Sequence, residues 1–213
     1  MDPEDFATQF DVSRETLTRL LAYQALLGRW QQRINLVGPA TLDDFWARHA
    51  ADSAQLLALA GHRRVWLDLG SGGGFPGLVV AIMLAGSEGH VHLVESDGRK
   101  AAFLRTVIRE VGAAASVHNQ RAEALAEMQA PFLTDVQVIS ARALAPLPEL
   151  LELIAPFFNS STIALLHKGA GWQDELTRAE QCWMIDVEAH PSQTHDAARI
   201  LHLRHLARRG EAL

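Results

Sequence analysis

Two carboxylates, Asp68 and Glu95, each end a short apolar run, and the first is followed by five glycines within eight positions: Gly70, Gly72, Gly73, Gly74 and Gly77. An apolar run that breaks into glycines reads as a buried parallel strand turning sharply into a helix, the turn where open α/β sheets hold ligands. Glycine lets the backbone approach a ligand and take positive φ, and Pro76 suits the first turn of the next helix, where a missing N–H costs nothing. A nucleotide-like cofactor is the expected occupant. Residues Gly72 to Gly77 satisfy the dinucleotide fingerprint G-x-G-x-x-G, a weak signal alone. In that case the helix N-terminus faces a pyrophosphate, and Asp68 would set negative charge against it. S-adenosylmethionine carries no phosphate and presents a cationic amino group and a sulfonium, so an acidic strand end suits it. Glu95 falls roughly 20 residues past the glycines, the spacing at which a carboxylate reaches ribose hydroxyls, and fits either cofactor.

The elements that hold these residues follow from periodicity. Leu17, Leu20, Leu21, Tyr23, Leu26, Leu27 and Trp30 recur at three and four, which predicts an amphipathic helix over 13–33. A second is expected after Thr41 as N-cap, with Asp44 three residues on, carrying Phe45, Trp46, Ala50, Leu56, Leu57 and Leu59. A turn at Asn35–Pro39 joins them, so residues 1–62 form a helical cap and 63–213 the sheet domain, packed as one compact unit. Beyond Val65, apolar runs alternate with helical stretches, the signature of right-handed βαβ units and a parallel sheet. Strands are expected at 65–69, 91–95, 115–119, 136–140 and 162–166, and helices at 76–84, 99–111, 122–128, 147–158 and 173–183. Residues 184–188 and 200–206 form a closing pair of strands. The fold expected is Rossmann-like α/β with a seven-stranded, mostly parallel sheet.

At 213 residues and 48% hydrophobic content, one domain with an appendage is the simplest organisation. The N-terminus is acidic and no apolar run approaches the roughly 18 residues of a membrane span, so a cytoplasmic protein without membrane contact is expected. The single Cys182 excludes an internal disulfide or thiolate cluster and is expected to be a buried small apolar residue. None of the ten histidines pairs with Cys or acids at metal-ligand spacing, so no metal is expected, and His195, His202 and His205 read as surface or sheet residues. A net charge of −6 argues against indiscriminate nucleic-acid binding. It leaves room for a local basic face at Arg63-Arg64, at Arg99-Lys100-Arg105-Arg109 or at Arg199-Arg204-Arg208-Arg209.

Residues following strand ends converge on one ligand in this architecture: Asp68 and Gly70, then Glu95, then Arg121-Ala122-Glu123, then Ser140-Ala141-Arg142-Ala143. The combination resembles the class I S-adenosylmethionine-dependent methyltransferases. More narrowly, it resembles the bacterial small-subunit (16S) ribosomal RNA guanine-N7 methyltransferase family, RsmG or GidB. The resemblance rests on Trp30 through Asn35-Leu36, Arg48-His49-x-x-Asp52-Ser53, Asp68-Leu-Gly70-Ser-Gly72-x-Gly74-Phe75-Pro76-Gly77, Glu95-Ser-x-x-Arg99-Lys100-x-x-Phe103-Leu104, Ser140-Ala-Arg142-Ala143 and Lys168-Gly169. It runs in the family's order from about residue 17 to 206. It implies a cofactor site at Asp68, Gly70, Gly72 and Phe75, with Glu95 on the ribose, Ala122-Glu123 near the adenine, and Arg142. Gly73 departs from the family's pattern, where proline is common.

The implied chemistry needs little else, because guanine N7 is a neutral acceptor that loses no proton when it attacks a sulfonium methyl. No general base is required, and positioning supplies much of the rate. The Asn/Asp-Pro-Pro-aromatic loop of exocyclic-amine methylation is absent, and Cys182 is misplaced for carbon-5 chemistry. No catalytic residue is assigned; Arg142 and Lys168 are the candidates. Arg142 is open between the cofactor carboxylate, an RNA phosphate and a local Asp, and Lys168 between RNA and solvent. His49, Arg99 and Lys100 are further candidates for the RNA side, with packing or capping the rival role for His49. The partner implied is ribosomal RNA or a small-subunit particle, met by a monomer. Rival readings are a small-molecule S-adenosylmethionine-dependent methyltransferase and a cofactor-binding ribosome assembly factor, with an NAD-dependent dehydrogenase more distant.

Overall fold

The computed structural model describes residues 1–210. Its strands are β1 (Val65–Leu69), β2 (His90–Val94), β3 (Ala115–His118), β4 (Val138–Arg142), β5 (Ile163–Lys168), β6 (Trp183–Pro191) and β7 (Arg199–Arg208). They form one sheet in the order β3-β2-β1-β4-β5-β7-β6. The first five are parallel, and β7 runs antiparallel to both β5 and β6. Strand order reverses between β1 and β4, so a crevice opens beyond their carboxyl ends.

The helices are α1 (Pro3–Gln9), α2 (Arg14–Gln31), α3 (Asp52–Ala54), α4 (Leu56–Ala60), α5 (Gly77–Met83), α6 (Gly98–Val111), α7 (Ala122–Glu127), α8 (Leu147–Ile154) and α9 (Trp172–Ala179). A π-helix, Phe45–Ala51, runs directly into α3. Strand side chains alternate between faces. Trp66, Val91, Leu93, Val138 and Leu165 pack with Tyr23, Leu27, Leu78 and Phe103 from α2, α5 and α6. Their neighbours Leu67, Val94, Ile139 and Leu166 pack on the opposite face with Leu125, Leu151 and Ile154. Phe6, Leu20, Phe45 and Trp46 belong to the first cluster, so the N-terminal helices share their core with the sheet.

Several expected boundaries move. A first helix, α1, precedes the expected ones, opened by a capping box in which Asp2 and Asp5 bond each other's backbone N–H. Thr41 caps no helix: it ends a 3₁₀ turn over Pro39–Thr41, and its hydroxyl donates to Gly38 O at 2.8 Å. The helix beyond begins at Phe45, three residues past the expected start, and pauses at Gln55. Strands β4 and β5 extend two residues further than expected, which makes Arg142 and Lys168 strand residues. The amphipathic pattern of α9 ends at Ala179, and Trp183 is buried as the first residue of β6. Cys182 falls in the turn between them and is exposed, which corrects the expectation of a buried thiol. Among the described residues no helix is long and apolar enough to cross a membrane.

Candidate active site

The glycine turn after β1 is tied to the end of β2. Gly70 and Ser71 donate their N–H groups to Val94 O at 2.9 and 3.0 Å. Gly72 N–H donates to Glu95 Oε2 at 2.8 Å, and Asp97 N–H to Glu95 Oε1 at 2.7 Å. Gly70 and Gly72 have φ of 67° and 55°, left-handed values that suit glycine. A side chain at Gly77 would strike Leu93 and Asp68, so the glycine lets α5 rest on the sheet. From the N-terminal helices the buried Tyr23 hydroxyl donates to Gly73 O, and its ring stacks on Phe75 with centroids 5.3 Å apart. A Cβ at Gly73 would stand 2.9 Å from Leu36 O, so here the backbone of residue 36 takes the room that a larger residue would need.

Asp68 lies beneath this turn. Strand alternation puts it on the α5 side of the sheet with Trp66, and it is 1% exposed and absent from the cleft walls. Its Oδ1 accepts from Ser140 Oγ at 2.7 Å while Oδ2 has no hydrogen-bond partner. Burial pushes its carboxyl up to about 6, against hydrogen bonds that favour the charge.

Above the turn the cleft has two lobes. The smaller, about 290 Å³, is lined by Glu95, Gln120, Arg121, Ala122 and Glu123. The larger, about 1070 Å³, is lined among others by Arg48, His49, Asp52, Phe75, His167 and Lys168. Gly70, Gly72, Lys100, Ala143 and Leu144 border both. Leu144 lies across Gly70, where an added Cβ would come within 2.5 Å of its Cδ1. Ala143, at φ 54°, takes a left-handed conformation that costs a non-glycine residue roughly 1–2 kcal/mol and turns the chain sharply after Arg142.

Arg142 is the hub of the larger lobe. Its Nη1 donates to Asp52 Oδ2 at 3.1 Å and to Arg48 O at 3.0 Å, and its Nη2 donates to His49 Nδ1 at 3.0 Å. The guanidinium lies 5.0 Å from the centroid of the Phe75 ring, on which His49 also stacks at 4.6 Å. Because His49 Nδ1 accepts from an arginine, the network assigns its proton to Nε2, which donates to Thr41 Oγ1 at 3.0 Å. Burial first, and then the Arg142 charge, push His49 down to about 4. Asp52 also accepts from Thr194 Oγ1 at 2.8 Å and Gln55 Nε2 at 2.9 Å. Burial alone would raise its carboxyl, but His167, Arg142 and the Thr194 hydroxyl outweigh it and hold the group below its ordinary value. His167, itself pushed down by burial, donates Nε2–H to Asp52 O at 2.8 Å, so at neutral pH the standing charge on Asp52 is Arg142.

The other expected residues fall in different places. The Lys168 ammonium is buried and donates to Ala145 O and Glu175 Oε2, both at 2.8 Å, so its charge is spent inside the protein. Arg99 is exposed beside Asp97 and lines neither lobe, whereas Lys100, one residue on, lines both. His167, Thr194 and Tyr23 join the site without a local sequence signal. His195 lines the larger lobe and is exposed, and His202 is buried on β7. No cluster of three or more His, Cys, Asp or Glu fit for a metal occurs among the described residues.

The model of the family described as rRNA small subunit methyltransferase G matches residues 16–203 of this chain. The chain belongs to this family. A member from Parvibaculum lavamentivorans is 51% identical over 208 residues, covering 97% of this chain and 90% of its own. Another, from Rhodospirillum centenum, is 54% identical over 207 residues, covering 97% and 92%. Both are called ribosomal RNA small subunit methyltransferase G. Among solved structures, an O-methyltransferase from Bacillus cereus in complex with SAH is similar in fold, with a TM-score of 0.58 at 13% identity over 87% of this chain and 90% of that one. Membership thus joins the glycine turn, Glu95 and the Arg142 hub to a methyltransferase fold.

Proposed function

We propose that this protein transfers a methyl group from S-adenosylmethionine to N7 of a guanine in small-subunit (16S) ribosomal RNA, acting in the cytoplasm on RNA or a small-subunit particle. The observation that carries this reading is the two-lobed cleft at the β1–β4 reversal, in a chain matched to the family from residue 16 to 203. The acting unit proposed is the monomer.

The smaller lobe suits the donor. Its Glu95 and Glu123 are balanced by Lys100 and Arg121, so a cationic nucleoside meets no net repulsion. Each Glu95 oxygen accepts one backbone N–H and keeps a lone pair for a ribose hydroxyl. Ala122 and Glu123 border the place for the base. A dinucleotide fits poorly, because the buried Asp68 carboxyl packs against Gly77 in the first turn of α5, where a pyrophosphate would bring further negative charge. Arg142 spends three of its five N–H donors on Asp52, Arg48 O and His49, which leaves two for a carboxylate or phosphate in the cleft. Bound S-adenosylmethionine supplies an electrophilic methyl on its sulfonium. The protein holds guanine N7 in line with it and excludes water; no side chain has to accept a proton.

Tritiated methyl transfer to small-subunit RNA from cells lacking the protein, followed by nucleoside analysis, tests the reading. Label in 7-methylguanosine is the expected result. Label in another nucleoside, or none in RNA, overturns it.

A further inference from the structure

Charge in the larger lobe is uneven. Four basic side chains line it, Arg48, Lys100, Arg142 and Lys168, against two carboxylates, Asp52 and Glu175, a surplus of two in a chain of net charge −6. Asp52 is paired with Arg142 and Glu175 with Lys168. Among the described residues neither Arg48 nor Lys100 has an acid within salt-bridge distance, so the surplus sits on these two. They stand on different elements. Arg48 is an exposed residue of the π-helix, whose carbonyl is bonded to Arg142. Lys100 lies in the first turn of α6, with its N–H on the Asp97 cap and its side chain at the border between lobes. Concave walls focus such a surplus onto an anion.

We propose that Arg48 and Lys100 form a phosphate-binding pair that grips the RNA backbone on either side of the nucleotide entering the cleft. This rests on the RNA reading above and names the contacts that hold the strand. The acidic remainder of the surface keeps attraction local, so the RNA is drawn to the cleft and not to the whole molecule.

Fluorescence anisotropy of a labelled, guanine-containing hairpin of small-subunit RNA, titrated between about 50 and 200 mM salt, reads the pair directly. Arg48→Gln and Lys100→Gln should each weaken binding. The double variant should reduce the slope of log affinity against log salt by about 1.4, at roughly 0.7 per single-strand phosphate released. The melting temperature should stay within error of the parent in all three variants, and S-adenosylhomocysteine binding should do so in Arg48→Gln, whose side chain lines only the larger lobe. Arg109→Gln, at an exposed site outside the cleft, should leave the slope unchanged. An unchanged slope in the double variant, an equal drop in the Arg109 control, or no binding by the parent overturns the pair. If the slope drops while the parent methylates no RNA, the pair stands and the functional reading fails; methylation with an unchanged slope gives the reverse.

Discussion

Asp52→Asn keeps the shape of the side chain and removes the charge that balances Arg142. The two side chains are 14% and 18% exposed and their atoms meet at 3.1 Å. At an effective dielectric near 20, two unit charges about 3 Å apart attract by about 5 kcal/mol, most of it offset by the desolvation of both groups. Stranding one partner of a buried pair costs about 3–5 kcal/mol. Arg142 retains Arg48 O and His49 Nδ1, and an asparagine can still accept from Thr194, so a loss near 2–3 kcal/mol is expected. For a chain of this size that lowers the melting temperature by about 5–10 °C. The sign with pH is fixed: Asp52 is held below its ordinary value, so its contribution is complete above about pH 4 and is lost as pH falls through the lower folded value. Urea denaturation of parent and variant at a series of pH values is the assay. The gap should be full at pH 7 and close on acidification below about pH 4. Equal stability at neutral pH, or a gap indifferent to pH, refutes the assignment of Asp52 as the counter-charge of Arg142.

Three other outcomes are expected. Tyr23→Phe leaves Gly73 O without its buried donor; it should cost about 1–2 kcal/mol in urea denaturation and weaken S-adenosylhomocysteine binding in calorimetry, and an unchanged affinity would separate the N-terminal helices from the glycine turn. His90, His92 and His118 crowd one sheet face, and all are pushed down, chiefly by burial, His92 to about 4. Their stabilising effect is complete above pH 6.5 and is lost as pH falls towards 4, so the urea midpoint should drop between pH 7 and pH 5, and drop less in His92→Gln. Glu95→Gln puts an amide donor where Gly72 or Asp97 N–H now donates, and should weaken S-adenosylhomocysteine binding by about tenfold or more, read by calorimetry.

Local pattern made the central architecture legible: apolar runs, a glycine break and two acids at strand ends sufficed to place β1, β2 and the turn between β1 and α5. The same pattern misled at Asp68, because ending a strand is not the same as facing the crevice. Residue parity with the buried Trp66 puts its side chain under α5. Lys168 looked like a free cation, and only the fold brings Glu175 and Ala145 O to it. Tyr23 to Gly73, Asp52 to His167 and Asp52 to Thr194 span 50, 115 and 142 residues, separations at which no spacing rule operates. The motif Arg48-His49-x-x-Asp52 was visible, but its π-helical backbone, which faces Arg142, has no signature in residue type. Cys182, expected on a helix, lies outside it because the amphipathic repeat of α9 ends at Ala179, three residues before it.

A crystal structure of the protein with S-adenosylhomocysteine tests the division of labour in the cleft most directly. The adenosyl group should lie in the smaller lobe, with its ribose on Glu95 and its base beside Ala122 and Glu123, and the larger lobe should stay open beside Arg48 and Arg142. An adenosyl group seated in the larger lobe against His167 and Lys168, or outside both lobes, contradicts the account.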